Sequence, residues 1–266
     1  MINTRSTPGG MTMKTMGKLL LVPLTVSLLT LAACQQPAAG WSADDLAAAL
    51  DNPGRPEADK ARDAGRKPAE VVVFVGVEPG MTVLDVMASG GWYTEVLSVA
   101  VGLDGTVYAQ NEPSALARRD GANDKAITAR LADSHLANVQ RVDQELTGLE
   151  LEPGSVDAAI TALNFHDTYN FAGPEAAAAF MQAIYDVLKP GGVLGMIDHS
   201  GDPDGDNVKL HRISPQIVVD IATGVGFVLE DEGDVLAHPE DDRTEMVFGP
   251  IRGKTDRFLL KLRKPG

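Results

Sequence analysis

From Thr82 to Lys264, short runs of branched aliphatic residues alternate with longer segments of helical pattern. That alternation limits the fold more than any other feature of the chain. TVLDV (82–86), GTVYAQ (105–110), NVQRVD (138–143), SVDAAITAL (155–163), VLGMID (193–198), FVLED (227–231) and RFLLKLRK (257–264) read as strands. Between them fall helical stretches: WYTEVLSVAV, the segment from Asn123 to Leu136, PEAAAAFMQAIYDVL, and SPQIVVDIATGVG with glycine at its end. A strand that returns to its sheet through a helix lies parallel to its predecessor. The pattern therefore predicts an α/β fold with a doubly wound, mostly parallel sheet and helices on both faces. KPGG (189–192) reads as the turn before the fifth strand.

Ahead of this core, Ser42 is placed to cap a helix over DDLAAAL, with Asp44 and Asp45 favourable in its first turn. NPGRP breaks that helix, and EADKARDAGRKP reads as a charged helix and loop. Pro68 suits the first position of a helix over PAEVVVFV, ended by Gly76. Its valine content suits a strand equally well.

The N-terminal region has a different character. Lys14 and Lys18 precede an uncharged, mostly apolar run from Leu19 to Ala33, which is short for a membrane span. Leu31-Ala32-Ala33-Cys34 resembles the lipobox at which bacterial lipoproteins are cleaved and acylated, and Cys34 is the chain's single cysteine. The expected organisation is an export signal over 1–33, a lipidated tether over 34–40 carrying its lipid on Cys34, N-terminal helices over 41–80 and an α/β domain over 81–266. The protein would then be exported and lipid-anchored in the bacterial envelope, facing the periplasm. The net charge of −14 argues against nucleic acid as a main partner.

Ligands of such sheets bind beyond the carboxyl ends of the strands, where free N–H groups open the next helix. Here Asp85 ends the first strand, and Ser89-Gly90-Gly91 leads into the helix. This order of elements resembles the class I S-adenosylmethionine-dependent methyltransferases, which carry an acid and then Gly-x-Gly-x-Gly at this point. Asp85 matches the acid and Gly91 the third glycine, while Met87 and Ser89 stand at the first two. VEPGMTVLDV, SVDAAITAL and LKPGGVLGMID resemble further family landmarks over roughly residues 68–263. RPEADKARDAGRKPAEVV, GGWYTEVL, NFHDTY, DHS and RGKTDRFLLKLRKP are similar to a narrower bacterial group of predicted methyltransferases, often bearing a signal.

The resemblance implies a seven-stranded, Rossmann-like sheet with an antiparallel last strand, S-adenosylmethionine as cofactor and a small-molecule methyl acceptor. Cofactor contacts are implied at Asp85, Ala88, Ser89, Gly90, Gly91, Asn111, Glu112, Asp143 and Asn164. Asn111 stands where the family places the ribose-binding acid, with Glu112 beside it. Asp143 stands where an acid meets the adenine amino group. An amide in place of a carboxylate weakens a charged hydrogen bond, by about 1–3 kcal/mol.

NFHDTYN and DHSGDPDGD follow the fourth and fifth strands, so His166, Asp167, Asp198 and His199 should converge beside the reacting end of a cofactor. Histidine titrates near neutrality and suits proton removal from a nucleophile, with His166 the first choice and an aspartate orienting it. A metal site built from these groups with His211 is an alternative, though no compact zinc spacing is present. A third reading is a non-catalytic ligand-binding lipoprotein on the same fold. His135 and His238 are expected to cap loops. Arg62, Asp63, Arg66 and Lys67 form either a solvated helix face or a lid, and Trp92 and Tyr93 are expected in the core. No Gly-x-Ser-x-Gly elbow or phosphate-binding Gly-x4-Gly-Lys-Ser/Thr loop is present.

Overall fold

A computed structural model describes residues 40–266. The expected export signal over 1–33, the expected lipidation at Cys34 and all of the expected tether but Gly40 lie outside these residues. Among the described residues no helix is long and apolar enough to cross a membrane.

The strands are β1 (Thr82–Val86), β2 (Thr106–Gln110), β3 (Val139–Val142), β4 (Val156–Ala162), β5 (Leu188–His199), β6 (Val228–Gly233) and β7 (Arg257–Arg263). They form one seven-stranded sheet in the order β3-β2-β1-β4-β5-β7-β6. β1 to β5 pair in parallel, and β7 runs antiparallel between β5 and β6. Strand order reverses between β1 and β4, which opens a crevice at their carboxyl ends.

Side-chain alternation sorts the strands onto two cores. Val83, Ala158, Ile160, Val193 and Leu259 face one side. There they meet α1 (Ala43–Leu50), α4 (Pro68–Val75) and α5 (Trp92–Val101). Leu84, Ala159, Leu194 and Leu260 face the other, against α8 (Pro174–Val187) and α10 (Pro215–Val225). The N-terminal helices thus share a layer with α5.

The valine-rich segment is a helix because its ends decide it. Pro68 occupies the first turn, and Gly76 at φ 87° closes the other end. Val71, Val72 and Val75 are then buried. The contact is close enough that a Cβ on Gly195 in β5 would sit 2.5 Å from Val75 Cγ2. Ser42 caps α1 as expected, accepting from the Asp45 N–H. Between α1 and α4 lie two single-turn helices, α2 (Glu57–Lys60) and α3 (Asp63–Arg66). Lys67, at φ 42° and ψ 56°, both ends α3 and begins α4.

Two segments differ from expectation. KPGG lies within β5 as a bulge: pairing steps from Val156–Leu188 directly to Ala158–Val193. Lys264 supplies the partners, with its carbonyl accepting from Gly191 N–H and its N–H donating to Gly192 O. The helix expected from Asn123 begins earlier, as α6 (Pro113–Arg130), and breaks at Arg118–Gly121 before resuming. Arg119, Asp120 and Gly121 are all left-handed there. Past Arg130 only a 3-10 turn at Ala132–Ser134 follows. α7 (Phe165–Asp167) and α9 (Asn207–Leu210) are short helices after β4 and β5.

Candidate functional site

The turn after β1 keeps a glycine-like backbone without the glycines. Met87 sits at φ 54°, Ser89 at φ 53° and Gly91 at φ 82°. An L-residue in this region costs about 1–2 kcal/mol, so the turn must be held from outside. The end of β2 holds it. The Gln110 side chain accepts from Met87 N–H at 2.9 Å, and its backbone carbonyl accepts from Ala88 N–H at 2.8 Å. Asn111 Oδ1 accepts from Ser89 N–H at 2.7 Å, while its Nδ2 donates to Ser89 O at 3.2 Å. A carboxylate at 111 could accept but not donate, so the amide matches this two-point grip. Where the resemblance implied a ribose contact, Asn111 is buried and holds Ser89 with both ends of its amide.

Three adjoining cavities lie over this edge of the sheet. The largest, about 860 Å³, is bounded by Met87, Ser89, Glu112, Leu146, Asn164 and Phe180 among others. The second, about 480 Å³, lies against the turn itself, with Asp85, Ala88, Gly90, Arg62 and Trp92 in its wall. The third, about 470 Å³, lies over the β5 end and includes Arg66, Leu163, His166, Asp167, His199 and Arg257. Met87, Ser89, Asn123 and Asn164 border the first two, and Arg62, Arg66 and Leu163 the second and third. Asp85 accepts a 2.6 Å hydrogen bond from Thr94, but burial outweighs it and pushes the carboxyl up to about 7. Glu112, half-buried at the start of α6, is raised by burial and by nearby Glu145.

Asp143 does not join the group. It pairs with Arg141 at 2.7 Å and borders a separate hollow on the outer side of α6. The residues that reach the main crevice from the β3 side are Leu146 and Thr147. The break in α6 adds Arg118, Arg119 and Asn123, and the one sequence sign of it is Gly121 in RRDGAND. Arg62 and Arg66 roof the crevice and stack on Trp92, 5.3 and 4.8 Å from its ring centroid. Trp92 and Tyr93 are buried as expected and also line the second cavity.

His166, Asp167, Asp198 and His199 do come together. Asp198 is fully buried and accepts from His166 N–H at 2.8 Å, His166 Nδ1 at 2.7 Å and His199 N–H at 2.8 Å. His166 Nε2 lies 3.2 Å from Asp167 Oδ1. Burial pulls His166 down, but the Asp198 charge and the hydrogen bonds to Asp167 and Asp198 prevail and push it up to about 10. That shift favours the protonated ring, which suits His166 to hold or donate a proton, where the sequence suggested a base. His199, 5.9 Å away ring to ring, is held down to about 4 by burial, with His166, Arg257 and Arg212 adding to the effect. His199 Nδ1 shares a 2.9 Å hydrogen bond with Thr255 Oγ1. With its proton on that nitrogen, Nε2 keeps a lone pair. The neutral imidazole of this pair is His199.

His211 Nδ1 lies 3.0 Å from Asp167 Oδ1, and donor atoms of His166, Asp167 and His211 all fall within 4.8 Å of one another. Asp198 and His199 fall outside that donor group, Asp198 accepting from three N–H groups and His199 meeting Thr255. The rings of His135 and His238, expected to cap loops, meet side chains instead: Glu95 at 3.0 Å for His135 and Arg257 Nη2 at 3.4 Å for His238 Nε2.

No protein-family model matches the sequence, and no curated protein matches it. Solved structures match the fold. A SAM dependent methyltransferase from Aquifex aeolicus superposes with a TM-score of 0.57 at 22% identity, over 84% of this chain and 98% of that one. The geranyl diphosphate C-methyltransferase of Streptomyces coelicolor, solved with Mg2+, geranyl diphosphate and S-adenosyl-L-homocysteine, gives 0.56 at 14% identity, over 82% and 87%. The cyclase SpnF gives 0.56 at 18% identity, over 81% and 85%. The chain has the class I methyltransferase fold.

Proposed function

We propose that the protein transfers a methyl group from S-adenosylmethionine to a small-molecule acceptor in the crevice between β1 and β4. One observation carries this reading. The β1 turn keeps left-handed backbone at Met87, Ser89 and Gly91 although two of the three residues are not glycine. Strain of this kind persists when surrounding structure over-determines it, and it clusters at ligand sites. Here Gln110 and Asn111 supply that restraint.

The residues present fit the cofactor. The first cavity offers Glu112, a carboxylate that can accept from both ribose hydroxyls, beside Leu146 and Phe180 for an adenine ring. The second offers the turn backbone and Asp85 for the amino-acid part, with Arg62 for its carboxylate. When bound, S-adenosylmethionine supplies an electrophilic methyl group. The chain's own contribution is to enclose the acceptor under the Arg62–Arg66 turn and to handle its proton. His199 Nε2 takes that proton in the tautomer whose Nδ1–H donates to Thr255 Oγ1. Burial, with the raised, protonation-prone His166 beside it, keeps the resting His199 ring neutral.

Calorimetric titration of the full chain with S-adenosylmethionine and S-adenosylhomocysteine tests the reading. Saturable binding of both is expected. Absence of heat at millimolar concentrations sinks it and favours a non-catalytic binder on this fold. We also propose export and lipid anchoring through Cys34, supported by the Lys14–Cys34 pattern. Incorporation of radioactive fatty acid, lost in Cys34→Ser, is the expected result.

A further inference from the structure

We propose that the methyl acceptor is an acid, and that its oxyanion, a carboxylate or phosphate, docks between Arg66 and Arg257 in the cavity over the β5 end. The proposal rests on the methyltransferase reading above and names the substrate class of that same site.

The chain is strongly acidic, with a net charge of −14, yet this cavity gathers Arg62, Arg66, Arg252 and Arg257 against the lone carboxylate of Asp167. Asp167 is itself engaged by His166 and His211. Other buried guanidinium groups meet a carboxylate: Arg55 meets Asp63 at 2.6 Å, Arg130 meets Asp59 at 2.6 Å and Arg212 meets Asp241 at 2.9 Å. Among the described residues no carboxylate pairs with Arg66 or Arg257.

Arg66 lies against the face of Trp92, which fixes the plane of the guanidinium but takes none of its N–H donors. Arg257 is buried; its Nε donates to Thr255 O, and its Nη2 donates to Gly65 O and lies 3.4 Å from His238 Nε2, which leaves Nη1 for a ligand. The nearest acid in sequence, Asp256, is taken by Arg243 and by the backbone N–H of His238. Burial, with the charges of Arg62 and Arg257 adding to it, lowers Arg66 to about 10. Burial likewise lowers Arg257.

A buried and a half-buried cation on one cavity wall are costly unless an anion joins them. A planar guanidinium presents its donors in a fork that matches carboxylate or phosphate oxygens. Leu163, Val247 and Phe248 add apolar surface to the wall beside His166, His199 and Thr255. An acid with an apolar body therefore fits better than an inorganic anion. An oxyanion held by two guanidinium groups is a poor nucleophile, so the acid is the handle and another atom of the acceptor receives the methyl group.

The test is titration of the full chain with benzoate, phenyl phosphate and neutral benzamide, each with and without saturating S-adenosylhomocysteine. At least one acid should bind about tenfold more tightly than benzamide. Arg66→Gln should weaken that acid about tenfold, with and without saturating S-adenosylhomocysteine. Arg257→Gln should do the same, and Arg257→Lys provides a milder change if the buried glutamine variant does not fold. Equal binding of benzamide and the acids overturns the proposal. So does competition between the acid and S-adenosylhomocysteine, which would assign the pair to the cofactor's own carboxylate. If S-adenosylhomocysteine does not bind but the acid does, and Arg66→Gln abolishes it, the anion site stands and the methyltransferase reading falls.

Discussion

Replacing Ser89 by glycine should stabilise the protein. Ser89 sits at φ 53°, where an L-residue carries about 1–2 kcal/mol of strain that glycine does not. Glycine gives back about 0.5–1 kcal/mol through the greater freedom of its unfolded chain. Little else is lost, because Ser89 is exposed and its hydroxyl makes only a 3.5 Å contact with Met87 O. Its backbone bonds to Asn111 are unaffected by the side chain. The net expectation is a gain of about 0.5–1 kcal/mol. In a domain of this size that raises the melting temperature by about 1–4 °C. The assay is a pair of urea and thermal unfolding curves for Ser89→Gly, with Ser89→Ala as the control that keeps the Cβ. The alanine variant should stay within about 0.5 kcal/mol of the parent, as surface changes usually do. Because the turn already has a glycine's geometry, affinity for S-adenosylhomocysteine should change less than about threefold. A glycine variant no more stable than the alanine one refutes the strain argument. A large gain in cofactor affinity refutes the claim that the turn is already formed.

Further outcomes follow from the same geometry. Asn111→Asp should lose about 1–3 kcal/mol in urea unfolding, because a buried carboxylate leaves Ser89 O without its donor. Gly195→Ala should lose about 1–3 kcal/mol, since the new methyl would lie 2.5 Å from Val75 Cγ2 in the middle of a packed interface. His199 is held down to about 4 when folded, so the unfolded chain takes its proton first and stability falls as pH drops from about 6.5 to about 4. His199→Gln should flatten that limb of a urea-midpoint profile. His166 behaves oppositely: raised to about 10, it adds stability that is complete below about 6.5 and lost as pH climbs through about 10. His166→Gln should remove the alkaline decline. If turnover is found, its rising limb should lie near pH 4–5 and move upward in His166→Gln, which removes the charge beside His199.

Much of the fold is legible in single residues. Alternation along TVLDV and SVDAAITAL places neighbours on opposite faces, and the structure sends Val83 to one core and Leu84 to the other. Pro68 and Gly76 carry more information about their segment than the valines between them, because end geometry and tertiary packing override β-propensity. The start of α6 is hidden because Arg119 and Asp120 adopt left-handed backbone inside it, and no local pattern announces that.

At the site, the turn after β1 and the His166–Asp198 cluster can be located from strand ends alone. Their roles cannot. Asn111 looks like a weakened ribose ligand until its two bonds to Ser89 are seen. His166 looks like a base until Asp198 is found enclosed beneath it. Arg66 and Arg257 are far apart in sequence, and only the hydrogen bond from Arg257 to Gly65 O reveals that they share a wall. Electrostatic environment depends on such long-range neighbours, so charge state is the last property a sequence discloses.

Lys67 has a role out of proportion to its contacts. It is exposed, and its left-handed torsions alone join the arginine-bearing turn to the helix bolted across β5. The pitch of the roof over the crevice is thus decided by one peptide joint outside it. Drift at this solvent-facing position can re-aim Arg66 and retune which molecules are admitted, while the sheet beneath keeps its shape.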